Sequence, residues 1–112
     1  MEIFTIMSAD RSNKLCIDCK KPYPIYASIN NGVFLCDICA VKHRGYGPQI
    51  SYIRYLNDPW DEYLLSYMHR GGNKRFINFL EEFNIPEEVD ASSKYMTKGV
   101  EYYRNIVRMN FN

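Results

Sequence analysis

The four cysteines of the chain fall as Cys16-Ile-Asp-Cys19, then sixteen residues, then Cys36-Asp-Ile-Cys39. Nothing else in the sequence constrains the fold as much. Each Cys-x-x-Cys pair sets two thiolates on one tight turn, and the intervening loop lets the two turns converge on a metal. Four thiolates complete the tetrahedral shell of zinc and leave no position for a reactive water, so a single Zn2+ is expected, in a structural role. That closed shell leaves no vacancy for His43 or His69. Two disulfides are the alternative reading, and they need an oxidising compartment. The apolar opening, residues 1–7, is expected to be too short for a signal peptide and begins with an acid instead of a basic cluster, which favours the metal.

At 112 residues, with 46% hydrophobic and 24% charged residues, the composition is that of one globular domain. Its core is modest, and a bound metal would reinforce it. Fourteen basic against thirteen acidic residues leave a formal charge of +1, far from the basic balance of a dedicated nucleic-acid binder. No apolar run approaches membrane-spanning length. Charge is nevertheless unevenly spread: Lys42, Arg44 and Arg54 stand alone between Ile38 and Asn57, while acids collect at Asp58, Asp61, Glu62 and again over 81–90. Segregation of this kind marks either a solvated surface or a basic face that meets something acidic.

Residues 1–12 are expected to be a loosely held lead-in to a domain over 13–112, with Ile3, Phe4, Ile6 and Met7 available to dock on the core. Pro22 and Pro24 forbid a helix after the first knuckle, so the chain should run extended through Ile25-Tyr26-Ala27-Ser28. Asn30-Asn31-Gly32 tolerates positive φ and predicts a tight turn, after which Val33-Phe34-Leu35 returns as a strand. A small antiparallel hairpin thus carries both knuckles. A helix should begin at the second knuckle and stop at Gly45 and Gly47. At about 100° per residue, Arg44 lies roughly 80° around from Cys36 and roughly 140° from Cys39, pointing away from the metal.

Residues 50–56 alternate imperfectly and suit a short strand or a packed loop. Asn57-Asp58-Pro59 predicts a helix opening with Asp58 as its cap, a stripe of Trp60, Leu64, Leu65 and Met68, and an end at Gly71-Gly72. Asn73 is expected to cap the next helix, lined by Phe76, Ile77, Leu80 and Phe83 and closed by Pro86. A last helix, opened by Ser92 or Ser93, should carry Met96, Val100, Tyr103, Ile106 and Val107. Gly99 inside it costs about 1 kcal/mol relative to alanine, which suggests close packing or a weak point.

The run Cys-x2-Cys-x16-Cys-x2-Cys-x4-Arg resembles the signature of the Arf GTPase-activating protein domain. The likeness continues through Tyr26-Ala27-Ser28-Ile29-Asn30, Gly32-Val33-Phe34, His43-Arg44-Gly45-Tyr46-Gly47, Ile50-Ser51, Trp60, Met68, Gly71-Gly72-Asn73, Lys94-Tyr95 and Tyr103-Arg104. The resemblance implies an α+β fold: a small zinc-bearing antiparallel sheet surrounded by four to five α-helices. It implies a protein that accelerates GTP hydrolysis on an Arf-family small GTPase holding GTP and Mg2+. Carried across by motif, Arg44 becomes the catalytic arginine finger, Cys16, Cys19, Cys36 and Cys39 the metal ligands, and Tyr26 and Asp58 partner-binding residues. Tyr26 stands where the family usually has tryptophan, Ala40-Val41 where Ser-Gly is common, and Gln49 in place of a common histidine. Between Arg54 and Trp60 the chain is one residue shorter than the family pattern.

A cytoplasmic monomer follows from this resemblance, recruited to Golgi or other vesicle membranes, with membrane contact only through the GTPase. Two other readings compete with it. A non-catalytic recruitment module would keep the fold and bind the GTPase without accelerating it. A GATA-type DNA-binding finger has similar spacing, but the near-neutral charge, the missing basic tail after Cys39 and the three further helices speak against it.

Overall fold

Pro22 and Pro24 keep the segment after the first knuckle out of a helix, with Tyr23 between them at a φ of 61°, and a hairpin follows in the computed structural model, which describes residues 2–109. Strands β1 (Tyr26–Ser28) and β2 (Val33–Leu35) pair antiparallel, with Tyr26 opposite Leu35 and Ser28 opposite Val33. The turn between them closes with the Gly32 amide donating to the Ile29 carbonyl at 3.0 Å, and Gly32 takes a φ of 64° that favours glycine. Of the two readings of residues 50–56, the strand is the one formed: β3 (Ile53–Tyr55) pairs with the other edge of β1, giving a three-stranded sheet of order β2-β1-β3.

Successive strand residues face opposite sides, and here both sides are covered. Val33 and Leu35 enter one core with Phe76, Leu80, Tyr95, Val100, Tyr103 and Val107, whereas Ala27 and Phe34 enter a second with Ile3, Ile6, Leu56 and Met68. The lead-in is therefore docked and not loose. It forms a helix, α1 (Ile3–Ser8), whose first amides are capped by the Glu2 carboxylate and whose Ile3 and Ile6 close the second core. A 3-10 turn, Arg11–Lys14, opens on Asp10 and leads into the first knuckle. Met1 and residues 110–112, the outer ends of the expected 1–12 and 13–112 division, lie outside the described residues.

Helix α2 (Asp37–Arg44) runs from the second knuckle to Gly45 as expected, but three helix starts differ from the sequence reading. Asp58 does not cap α3 (Glu62–Arg70); Asp61 does, accepting from the Leu64 amide at 2.8 Å. The reason is Arg54, whose guanidinium donates to the Pro59 carbonyl and lies over the Trp60 ring, while the Trp60 Nε1–H donates to the Leu56 carbonyl at 3.2 Å. Residues 56–60 are thereby held as a turn.

Asn73 does not cap α4 (Asn73–Glu82) either. It sits inside the first turn, after Gly72 at a φ of 99°, and its carboxamide is committed elsewhere. The oxygen accepts from the Phe34 amide at 2.8 Å, and the nitrogen donates to the Ser12 and Leu15 carbonyls at 2.9 and 2.8 Å. The sheet, the lead-in and α4 meet on this one side chain. The backbones there are in contact: a Cβ on Gly71 would lie 2.8 Å from the Gly32 Cα.

The last expected helix is divided into α5 (Ala91–Lys94) and α6 (Lys98–Met109). Tyr95 must turn fully inward at the break, and the Thr97 hydroxyl, not a serine, accepts from the Val100 amide at 3.1 Å to start α6. Met96, expected on the apolar stripe, is consequently half exposed. Gly99 is closely packed, with Ile85 Cδ1 2.8 Å from where a Cβ would stand. The helices among the described residues thus number six instead of four to five, two of them short.

Tyr103 is buried against Phe76 and Phe79, and its hydroxyl has no hydrogen-bond partner among the described residues. Burial pushes its phenol up to about 12, against about 10 in the unfolded chain. Below pH 10 both states hold the proton; between about 10 and 12 only the folded state does, so stability falls as pH rises through this window. Replacing Tyr103 by Phe removes an unpaired buried hydroxyl and this alkaline penalty together. Urea unfolding should find Y103F at least as stable as the parent at pH 8 and losing less stability by pH 11. A loss of about 1 kcal/mol or more at pH 8 would show that the hydroxyl is paired.

Candidate functional site

The first knuckle turns on a left-handed residue. Lys20 takes a φ of 68°, its amide donates to the Cys16 carbonyl at 2.9 Å, and the Ile17 amide donates to the Phe34 carbonyl at 2.9 Å, which ties the first knuckle to β2. The second knuckle is the start of α2: Cys36 caps the helix from just before its first residue, its sulfur accepting from the Cys39 amide at 3.4 Å. Because the hairpin brings its two ends together, the four Sγ atoms lie within 4.8 Å of one another, and Cys19 and Cys36 approach to 3.6 Å.

Tetrahedral zinc–thiolate bonds of about 2.3 Å place sulfurs about 3.8 Å apart, so the set fits one metal ion. All four cysteines are free thiols, which removes the disulfide alternative; three are buried and Cys19 is exposed. Burial pushes the Cys16 and Cys39 thiols above their ordinary range. At Cys36 burial acts the same way but is outweighed by the Cys39 amide and the neighbouring thiols, which hold it below that range. A metal must displace these protons, so its hold weakens as the solution is acidified.

At the other end of α2 stands Arg44. Lys42, His43 and Arg44 occupy the last turn, where cations complement the helix dipole. His43 points inward and is fully buried, whereas Arg44 is exposed and has no carboxylate partner among the described residues. Its guanidinium carbon lies 5.3 Å from the centre of the Tyr26 ring. At an exposed site such a contact contributes about 0.5–1 kcal/mol, enough to bias the side chain without fixing it.

Tyr26 in turn meets Tyr55, its cross-strand partner on β3, with ring centres 5.3 Å apart. Asp58 lies in the turn just beyond β3, its amide donating to the Tyr55 carbonyl at 3.1 Å; its side chain is exposed and unpaired among the described residues. The structure therefore brings Arg44 and Tyr26 into contact, with Tyr55 as a third member, and places Asp58 on the turn that follows. Sequence reasoning missed Tyr55, whose position depends on the register of β3, and it gave no role to Arg54, which holds the Asp58 turn.

The sequence and fold have counterparts among known proteins. The ArfGap family model, described as "Putative GTPase activating protein for Arf", matches residues 1–111. This chain belongs to the ArfGap family. The mouse ADP-ribosylation factor GTPase-activating protein 3 is 33% identical over 110 residues, covering 96% of this chain and 21% of that protein. The Saccharomyces cerevisiae ADP-ribosylation factor GTPase-activating protein GCS1 is 34% identical over 94 residues, covering 83% of this chain and 27% of its own length. The chain thus spans about a fifth to a quarter of these relatives. Among solved structures, a Cryptosporidium parvum "putative GTPase activating protein for ADP ribosylation factor" superposes with a TM-score of 0.88 at 25% identity, covering 97% of this chain and 88% of that one.

Two of the departures read in the sequence, Ala40-Val41 and the segment after Arg54, fall on α2 and on the turn that follows β3. Ala40 is buried in the core beside the knuckle, and Val41 is two-thirds exposed on the outer face of α2, three residues before Arg44. The shortened segment after Arg54 is the turn that carries Asp58. Neither touches the sulfur cluster.

The metal set makes its own prediction. Purified chain should carry one equivalent of a thiophilic metal. Stripping it with a chelator, or acidifying below about pH 5, should abolish the cooperative thermal transition and not merely lower its midpoint. A metal-free chain that melts as before would show that the four thiols hold nothing the fold needs.

Proposed function

We propose that this ArfGap domain stimulates GTP hydrolysis by an Arf-type small GTPase and that Arg44 is the arginine it supplies. The observation that carries this reading is the placement of Arg44: exposed, free of any carboxylate among the described residues, and at the end of a helix whose beginning is a metal knuckle. An ordinary surface arginine has no such anchorage one helix away. Family membership and the two relatives that bear the GTPase-activating name support the same activity.

In this reading the partner GTPase holds GTP and Mg2+ and positions the attacking water, and charge builds on the β–γ bridging and γ oxygens as the terminal phosphoryl group departs. The planar Arg44 fork donates to two of those oxygens at once, which lysine cannot do. Tyr26 supports the aliphatic and guanidinium portions of Arg44 from below, and Asp58 offers a carboxylate to the partner surface beside it. The metal is Zn2+, held by Cys16, Cys19, Cys36 and Cys39. It supplies a cross-link between knuckles and no chemistry, because its shell is closed. The domain acts as a monomer. No helix among the described residues is long and apolar enough to cross a membrane; in this reading contact with a bilayer runs through the GTPase.

A panel of GTP-loaded Arf proteins under single-turnover conditions tests this. The parent chain should raise the hydrolysis rate, and Arg44→Lys should remove about 10²-fold or more of that stimulation while leaving metal content and melting unchanged. Full stimulation by folded R44K would end the finger assignment. Binding of the GTP-loaded form by the parent without any stimulation would point to the recruitment module, a reading motivated by the shortened Asp58 turn and by Tyr26.

A further inference from the structure

Beneath Arg44 runs a line of buried polar side chains that belongs neither to the metal cluster nor to the exposed surface. Arg104 donates from Nη1 to Asn31 Oδ1 and to the Tyr95 carbonyl, both at 3.2 Å. Asn31 Nδ2 donates to Ser28 Oγ at 2.8 Å and to the Ile50 carbonyl at 2.9 Å. Ser28 Oγ meets Ser51 Oγ at 2.6 Å, and Ser51 Oγ meets His43 Nδ1 at 2.6 Å. His43 Nε2 meets Asp18 Oδ2 at 2.7 Å, and the other carboxylate oxygen accepts from the Tyr95 hydroxyl at 2.8 Å. Asp18 is one of the two residues between the cysteines of the first knuckle.

The directions follow from the donors available. A carboxylate only accepts, so His43 Nε2 carries a proton, and with the ring neutral Nδ1 accepts from the Ser51 hydroxyl. Ser51 then accepts from Ser28, and Ser28 from Asn31. Every proton points from the Arg104 cation towards the Asp18 anion, with no member left unpaired, and such chains strengthen their own links.

An Asp–His–Ser set has the composition of a nucleophilic triad, but His43 is 0% exposed and Ser51 2% exposed, so no substrate can reach the hydroxyl. A mechanical role fits instead. Helix α2 has only eight residues, too few to hold its own last turn in water. Its first turn is fixed by Cys36, Cys39 and Ala40. Its last turn is fixed by the His43 ring, bonded through both nitrogens and packed edge-on against Tyr95 with ring centres 4.5 Å apart.

Resting on the reading of Arg44 as the finger, we propose that His43 is a positioning residue. Clamped between Asp18 of the first knuckle and Ser51 of the loop before β3, it fixes the end of α2 so that the next residue, Arg44, leaves the surface at one place relative to the metal. A displacement of about 1 Å at a reacting group can cost about 10²-fold in rate. The clamp therefore acts on turnover and not on partner affinity.

The test is a double-mutant cycle on single-turnover GTP hydrolysis, using Ser51→Ala and His43→Asn, each alone and combined with Arg44→Ala. Either clamp substitution should lower the saturated rate about 10-fold or more, with half-saturation changed less than about two-fold, and should cost almost nothing once Arg44 is alanine. Equal losses in both backgrounds, or no loss in the parent background, would overturn the proposal. S51A leaves the His43–Asp18 bond in place and so guards against a misfolded H43N. A second readout needs no GTPase: 15N relaxation of the Arg44 and Gly45 amides should drop from an order parameter of about 0.85 to below about 0.6 in S51A. Unchanged order parameters in that folded variant would also overturn the clamp. If the parent chain gives no stimulation at all, the finger reading falls, and the relaxation data still decide whether the clamp exists.

Discussion

Convergence of four sulfurs from two turns is the constraint on which the rest of the structure depends. The sheet has three strands of three residues each, too little to stand alone. One ion held by the four thiols would give that sheet a cross-link where it has few hydrogen bonds to give. Val33, Phe34 and Leu35 then become a ridge buried on both faces, and the helices pack to either side of it. The corner at Gly32, Gly71 and Asn73 is the complementary constraint, where backbone meets backbone and one carboxamide joins three segments.

Helix α2 carries that rigidity outward. It begins on a metal ligand, ends on Arg44, and is pinned between by His43, so the one side chain of the last turn that extends over Tyr26 does so from a fixed root. The design separates tasks. In the proposed reading, closed coordination would keep the metal out of the chemistry, buried polar links would keep the helix end still, and the guanidinium would stay solvated until a partner arrives. Because the contact that Arg44 makes among the described residues is a ring contact at the surface, it would give up little on moving to another protein's phosphate oxygens, as the proposed reading requires.

The convergence of the four cysteines, the hairpin, β2 and the outward direction of Arg44 were legible in the sequence because each rests on local pattern: cysteine spacing, prolines, an Asn-Asn-Gly turn and helical angle. What could not be read depends on distant partners. Asp58 looks like a helix cap until Arg54 and Trp60 hold its turn, and Asn73 looks like one until Phe34, Ser12 and Leu15 claim its carboxamide. The break at Tyr95 reflects a ring that is buried against Phe76 and Asp18, a demand that periodicity does not record. Ile3 and Ile6 gave a docking signal too short to outweigh a terminal position. The line from Asp18 to Arg104 has no sequence signal at all, since its members are scattered from one knuckle to the last helix.

The central claim is that a metal-tied scaffold offers one guanidinium to a nucleotide held by another protein. A crystal structure of the metal-loaded domain with an Arf-type GTPase bound to GDP, Mg2+ and aluminium fluoride tests it most directly. The account requires the Arg44 nitrogens at about 2.7–3.1 Å from the fluoride group and the β–γ bridging oxygen, with the metal among the four sulfurs. A complex in which Arg44 faces solvent, or in which a different side chain reaches the fluoride, would contradict it.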